Sequence, residues 1–497
     1  MRKILFALTV AVLPALALSA CSGGNTAPAS GMSALPNLAQ HGGRVHRDDN
    51  GASDIHAGGA TFPAYGYNLG DQPVGLFTDS QPTPGPGSLL YGAAQKIADG
   101  HAFLYCLTGS GYGRKEFEGV QTVGADACAA LNASPTGFGG RGDPIDFVGS
   151  DVAMPSTECC AGGTTYATTY ASTYGQPFEF PTYGGPIVFP YINNGSGLTG
   201  LGSNQLKLTT WTYCAIANGT IGFWDDAAIT KDNGGTPVAG HQPISFYYRT
   251  DGSGTTYLFE NKLNDSTSGC NQTWKAPFNK APYQKNGRSA AWTFPPVNLN
   301  ALAWTGPTGS QPSGSTFVGA SGNPGIISGI QSGTGSPYAT GYAEGAWANA
   351  ATSPSLGQAA LLSGQKFISP TNANAVAASL AKATSSKIQF GMGSDGISLG
   401  SSTPNCQLYI PPTVFVDPPT GAYPIVGLSY FMFYGQDQKR AGSNHFKDLK
   451  GLIQYLDSSA WNSSLSNLEY TPLPSSTRTA IQKSMTGHST TPACFKA

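Results

Sequence analysis

An α/β fold of two domains is expected for this chain, because strand-like and helix-like segments alternate through glycine turns over a length that suits two domains of ordinary size. The segment Pro243-Ile244-Ser245-Phe246-Tyr247-Tyr248 reads as a buried strand. After it, Thr256-Tyr257-Leu258-Phe259-Glu260-Asn261-Lys262-Leu263 carries apolar residues at helical spacing. A second apolar strand is expected at Pro186-Ile187-Val188-Phe189-Pro190-Tyr191. Beyond Leu18 no apolar run approaches the roughly 20 residues that a membrane helix needs.

In chain order, Arg2 and Lys3 precede an apolar run from Ile4 to Leu18 and then Leu18-Ser19-Ala20-Cys21. Residues 1–20 are expected to be a signal peptide. The tetrapeptide resembles the bacterial lipobox, which implies lipidation of Cys21 and an exported chain anchored by lipid to the cell or outer membrane. Residues 21–52, rich in Gly, Ala, Ser and Asn, are expected to be a flexible tether. His41, His46 and His56 lie in or near it, where solvation accounts for them.

Charged residues make up 11% of the chain, against about 25% in average proteins. With a net charge of −1, nothing points to nucleic acid or an acidic membrane surface as a partner. Apart from Cys21, the cysteines are Cys106, Cys128, Cys159, Cys160, Cys214, Cys270, Cys406 and Cys494. Their even number in an oxidising compartment favours disulfides, with adjacent Cys159 and Cys160 each paired elsewhere. No CxxC or HExxH occurs, so neither a zinc site nor a cofactor is implied.

The chemistry concentrates in Arg249-Thr250-Asp251-Gly252-Ser253-Gly254-Thr255-Thr256. A helix entry needs only a cap such as Ser253. Arg249 and Asp251 add a planar cation held by a carboxylate, which suits a tetrahedral oxyanion. The unpaired amides at Ser253, Gly254 and Thr255 add partial positive charge. Three upstream clusters share this composition: Gly58-Gly59-Ala60-Thr61-Phe62-Pro63-Ala64, Thr108-Gly109-Ser110-Gly111-Tyr112-Gly113 and Asp146-Phe147-Val148-Gly149-Ser150-Asp151.

Taken in order, these clusters resemble the phosphate-binding lipoprotein of phosphate-specific (Pst-type) ABC transporters, in the periplasmic substrate-binding protein superfamily. Phe180-Pro181-Thr182, Trp224-Asp225-Asp226-Ala227-Ala228-Ile229, Gly341-Tyr342-Ala343-Glu344, Ser369-Pro370-Thr371, Tyr423-Pro424-Ile425 and Leu468-Glu469-Tyr470-Thr471-Pro472-Leu473-Pro474 continue that order. The resemblance implies a two-lobed, type II-like fold with a hinge and a ligand cleft. Lobe one would comprise residues 53–182 and 370–497, and lobe two residues 183–369. It implies inorganic phosphate as ligand, and separate permease and ATPase subunits as partners. The contacts carried over are Thr61 and the Phe62 amide, Ser110, Asp151, Arg249, Ser253, Gly254 and Thr255, with Asp251 supporting Arg249. Asp151 would accept the proton that phosphate keeps and sulfate lacks, so it would reject sulfate. Extra material is expected around Val120 to Arg141, Ser266 to Ser313 and Leu399 to Ala422.

Rival readings have weaker support. Gly396-Ile397-Ser398-Leu399-Gly400 has the nucleophile-elbow spacing, yet turn residues follow where a helix is required. Gly195-Ser196-Gly197-Leu198-Thr199-Gly200 has the dinucleotide spacing without a prompt helix. No catalytic residue is assigned and the chain is read as a non-enzyme. A secreted phosphatase on the same scaffold, or a structural or adhesive surface lipoprotein, remains the alternative. No GxxxxGK[ST] occurs, so the chain cannot power uptake itself.

Overall fold

A computed structural model describes residues 55–67, 103–117, 146–154, 177–193, 196–271, 302–333, 337–390, 408–434, 462, 465–466 and 468–486. The expected signal peptide, Cys21, the tether and the Gly396–Gly400 pattern lie outside them. The elements that build the site begin with β1 (Ile55–Gly59), α1 (Ala64–Tyr67), β2 (Phe103–Cys106), α2 (Ser110–Phe117), β3 (Phe147–Ser150) and β4 (Pro177–Val188). Then come α3 (Thr210–Ala217), β5 (Ser245–Arg249), α4 (Gly254–Asn264), β6 (Gly309–Ser310), β7 (Thr316–Ala320), α5 (Gly322–Ser332), β8 (Ala339–Gly341), β9 (Ala343–Glu344) and α6 (Gly345–Ala350). Near the end stand β10 (Val426–Tyr434) and β11 (Thr471–Pro472).

Two larger sheets organise these elements. The first runs β9-β4-β10-β3-β1-β2, with β11 also paired to β4. In it β1 is parallel to β2 and β3, while β10 is antiparallel to β3 and β4. The second runs β8-β5-β7-β6, its first three strands parallel and β6 antiparallel on the edge. The expected strand at 243–248 is β5, and the expected helix at 256–263 lies inside α4.

Strands covered on both faces read as continuous apolar runs. Accordingly Leu428, Tyr430, Phe431, Met432 and Phe433 of β10 are all buried. Aromatic rings fill the space beneath the first sheet's strand ends: Phe147 stacks on Phe431 with centroids 4.0 Å apart, and Tyr67 meets Tyr105 edge-on at 4.9 Å. The chain leaves the first sheet along β4, which runs unbroken through Thr182 and Tyr183. His56 lies within β1.

Cys214 of α3 and Cys270 form a disulfide with Cα atoms 5.6 Å apart, tying α3 to the loop after α4. Cys128, Cys159, Cys160, Cys406 and Cys494 lie outside the described residues. Where the dinucleotide spacing would require a helix, Thr199–Leu201 forms one 3-10 turn. Among the described residues no helix is long and apolar enough to cross a membrane, and no group of three His, Cys, Asp or Glu could hold a metal.

Candidate anion-binding site

Ligands of open α/β sheets sit beyond the carboxyl ends of the parallel strands. Thr61, Ser110, Asp151 and Arg249 follow or end β1, β2, β3 and β5 in that position. Both sheets therefore present polar residues at corresponding ends.

Arg249 is buried as the last residue of β5. Its Nε donates to Asp251 Oδ1 at 2.6 Å and its Nη2 to Asp251 Oδ2. Its Nη1 donates to Asn323 Oδ1 at 3.3 Å. Among the described residues these bonds leave one N–H on each terminal nitrogen, because a guanidinium has five donors. Burial alone would raise the Asp251 pKa, but the Arg249 charge and bonds, with the Gly322 amide, leave it lowered. Gly322 N–H donates to Asp251 Oδ1 at 2.9 Å. The pair is thus ionised and rigid, with its guanidinium end available.

The turn after Arg249 enters α4 through Ser253, whose Oγ accepts from Thr256 N–H at 3.1 Å. Ser253 is therefore the helix cap, as the ordinary reading of Ser before an apolar run requires. Position 254 has to be glycine. A Cβ there would lie 2.6 Å from Asp151 Cβ and 2.7 Å from Ser110 Oγ. Gly109, at φ +82°, meets Asp251 as closely, with a Cβ falling 2.8 Å from Oδ2.

Ser110 Oγ accepts from two amides, Asp151 N at 3.3 Å and Gly254 N at 3.2 Å. With its acceptor capacity used, its own hydrogen is left to donate. Thr61 Oγ1 accepts one amide, Asn323 N–H at 3.2 Å, and keeps its own hydrogen to donate. Asp151 supplies the opposite character. Thr255 Oγ1 donates to its Oδ2 at 3.3 Å, while its Oδ1 is buried with no hydrogen-bond partner among the described residues. Burial, partly offset by the Arg249 charge and by the Ser429 and Thr255 hydroxyls, pushes the Asp151 carboxyl up to about 8.

The turn carrying Thr61 and Phe62 has every carbonyl committed on the core side. Tyr105 donates to Ala60 O at 2.8 Å, Trp347 Nε1 to Thr61 O at 2.8 Å, Tyr470 to Phe62 O at 2.5 Å and Tyr183 to Pro63 O. With its acceptors tied back, the turn offers the Thr61 hydroxyl as a donor. Tyr470 also lies 3.2 Å from Glu344 Oε2. Its hydroxyl is thus shared between that carboxyl and Phe62 O, while burial holds the Glu344 carboxyl well above its usual range.

A family model described as a PBP superfamily domain matches residues 72–460. The chain belongs to the PBP superfamily. It is 28% identical over 204 residues to the phosphate-binding protein PstS 3 of Mycobacterium leprae, covering 40% of this chain and 45% of that one. It is 28% identical over 179 residues to alkaline phosphatase L of Pseudomonas aeruginosa, covering 36% and 39%. The chain thus spans less than half the length of these two relatives. Among solved structures it resembles that of PfluDING, a high-affinity periplasmic phosphate-binding protein bound with phosphate. There the TM-score is 0.52 at 19% identity, over 87% of this chain and 94% of the other.

The family match and the likeness of structure together give the fold, a two-lobed PBP-superfamily architecture. Of the residues singled out in the sequence, Thr61, Phe62, Ser110, Asp151, Arg249, Asp251, Ser253, Gly254 and Thr255 all lie where the strand ends of the two sheets meet. Asn323 was missed, as were Trp347, Tyr470 and Tyr183. Asn323 had one legible signal: β7 followed by Ser321-Gly322-Asn323-Pro324-Gly325 repeats the strand, glycine turn and helix of the Arg249 segment. The aromatic donors had no local signal, since Tyr470 lies 408 positions from the carbonyl it binds.

Proposed function

We propose that this PBP-superfamily chain binds inorganic phosphate between its lobes and delivers it to a separate permease driven by an ATPase subunit. The single observation that carries the reading is Asp151 Oδ1, a buried acceptor without a protein partner among the described residues, set among the donors of Arg249, Ser110 and Thr61. Once Asp151 is ionised, an oxyanion that keeps a proton matches such a lining, and a fully deprotonated one leaves the carboxylate unpaired. The phosphate-binding relative and the phosphate-bound structural neighbour support the same ligand. A micromolar dissociation constant requires about 8 kcal/mol. Charge-assisted hydrogen bonds at about 1.5–3 kcal/mol each reach that after the costs of desolvation and closure. Export, lipid anchoring at Cys21 and the lobe boundaries after residues 182 and 369 belong to the same proposal.

The test uses protein unfolded and refolded to strip any carried-over anion, titrated calorimetrically with phosphate and then sulfate at pH 9, above the range where Asp151 ionises. Tight phosphate binding with at least tenfold weaker sulfate binding is expected. Silence toward phosphate from folded protein ends the reading. A phosphatase is the second reading, favoured by the match to alkaline phosphatase L. Sustained release of phenolate from a nitrophenyl phosphate would move the conclusion to an enzyme.

A further inference from the structure

We propose that Asn323 is an anion-contacting residue, its Nδ2 amide donating to the same oxyanion as Arg249 and Thr61; this rests on the phosphate reading above. Asn323 is fully buried near the start of α5. Its orientation is chemically fixed. Arg249 has no acceptor, so the atom that receives Nη1 at 3.3 Å must be the amide oxygen, and the amide nitrogen occupies the other branch. That nitrogen is buried and has no hydrogen-bond partner among the described residues.

Unpartnered buried donors are rare because they lose their water without replacement. This one stands where its own side chain and backbone already touch two residues of the site, Arg249 through Oδ1 and Thr61 through the backbone N–H. A ligand oxygen held between Arg249 and Thr61 gives Nδ2 its acceptor. The same residue occupies one acceptor site of the Thr61 hydroxyl and leaves its hydrogen to donate. The backbone amides at the start of α5 are already spent, Gly322 N–H on Asp251 and Asn323 N–H on Thr61, so the Nδ2 amide is the donor this turn has left. Asn323 thus joins the lining from the second sheet, with Thr61 coming from the first.

Asn323→Asp tests the donor, since it keeps the shape and the oxygen that receives Arg249 while replacing Nδ2 with an oxygen. Phosphate affinity, measured by calorimetry on the phosphate-stripped full chain, is expected to fall about 10- to 100-fold. The deficit shrinks as pH falls, because the introduced carboxyl loses its charge and regains a donor on protonation; the response of the wild-type Asn323 side-chain amide protons to phosphate separates direct contact from charge repulsion. Should Asn323→Asp fail to fold, wild-type protein answers instead: its nitrogen-15-labelled Asn323 side-chain amide protons are expected to move downfield on saturation with phosphate. Tight wild-type binding with Asn323→Asp within threefold, or with unmoved amide protons, overturns the assignment alone. No phosphate binding by wild type overturns the phosphate reading and the assignment together.

Discussion

Thr255 and Asp151 meet across the two sheets, the Thr255 hydroxyl donating to Asp151 Oδ2 at 3.3 Å. This bond divides the work of one carboxylate. Oδ2 receives the first turn of α4, and Oδ1 is buried with no partner among the described residues. The Ser110 hydroxyl sits against the same junction and receives an amide from each side.

Asp151→Asn is expected to weaken phosphate binding about 10- to 100-fold, because an amide nitrogen in place of Oδ1 turns the acceptor into a donor. Sulfate binding should strengthen, since that donor matches an oxygen carrying no proton. Competition calorimetry of the two anions against wild type and variant reads both changes. Unchanged selectivity would remove Asp151 from the discriminating role.

The raised Asp151 carboxyl also makes sulfate discrimination depend on pH. Below about pH 8 the protein holds a proton on Asp151, so the residue can donate to sulfate. Above that value sulfate must bring a proton with it, and its affinity is expected to fall about tenfold per pH unit. Phosphate should respond less, because the shared proton can reside on either partner with the same total charge. Sulfate titrations from pH 6 to 9 check this, and a flat profile would mean that Asp151 is ionised throughout.

Gly254→Ala is expected to lower phosphate affinity about 10- to 100-fold, corresponding to an overpacking cost of about 1–3 kcal/mol. The added Cβ would lie 2.6 Å from Asp151 Cβ and 3.0 Å from Asp151 N, of which the latter is backbone and yields little. The start of α4 must then move off Ser110, which loosens the site while leaving each lobe core intact. Calorimetry paired with thermal melting separates the two effects. An unchanged affinity would show that the junction opens freely without loss.

Much of this site was legible because its partners are close in sequence. Arg249 and Asp251 share one turn, and the strand and helix around them follow their apolar periods. The register that places Ala320 beside Arg249 was not legible, and it is this pairing that brings Gly322 and Asn323 onto the cation pair. The sequence likewise gives no hint that burial raises the proton affinity of Asp151, because that depends on how completely the surrounding strands and loops cover it. The aromatic donors to residues 60–63 come from β2, β4, α6 and the segment before β11, which only the folded sheet assembles.

Removing the disulfide with Cys214→Ala and Cys270→Ala together is expected to cost about 2–4 kcal/mol of unfolding free energy. The two cysteines lie 56 positions apart, and a loop of that size corresponds to about 4 kcal/mol of chain entropy in the unfolded state. Both are fully buried, and alanine fills less space than the half-cystines it replaces. Urea unfolding of wild type and the double variant, each with and without reductant, measures the difference. Reductant that lowers both equally would assign the loss to other disulfides of the chain.

Stability of the phosphate-free protein is expected to fall as pH rises from about 5 to 7.5. Burial raises Asp151 to about 8, Glu260 to about 7 and Glu469 to about 7, and holds Glu344 well above the usual carboxyl range. In the unfolded chain these carboxyls ionise near pH 4. Between the two ranges the folded state binds more protons than the unfolded one, so each group subtracts up to about 1.4 kcal/mol per pH unit. Asp251, whose pKa is lowered in the folded state, acts the other way but only at more acid pH, where its stabilisation is lost as pH falls. Urea unfolding at pH 5, 6 and 7 should show the free energy declining stepwise, with Asp151→Asn flattening the slope by about one proton. A free energy that instead rises across this window would mean that these carboxyls are ionised in the folded protein, and the proton assigned to Asp151 would have to come from the ligand.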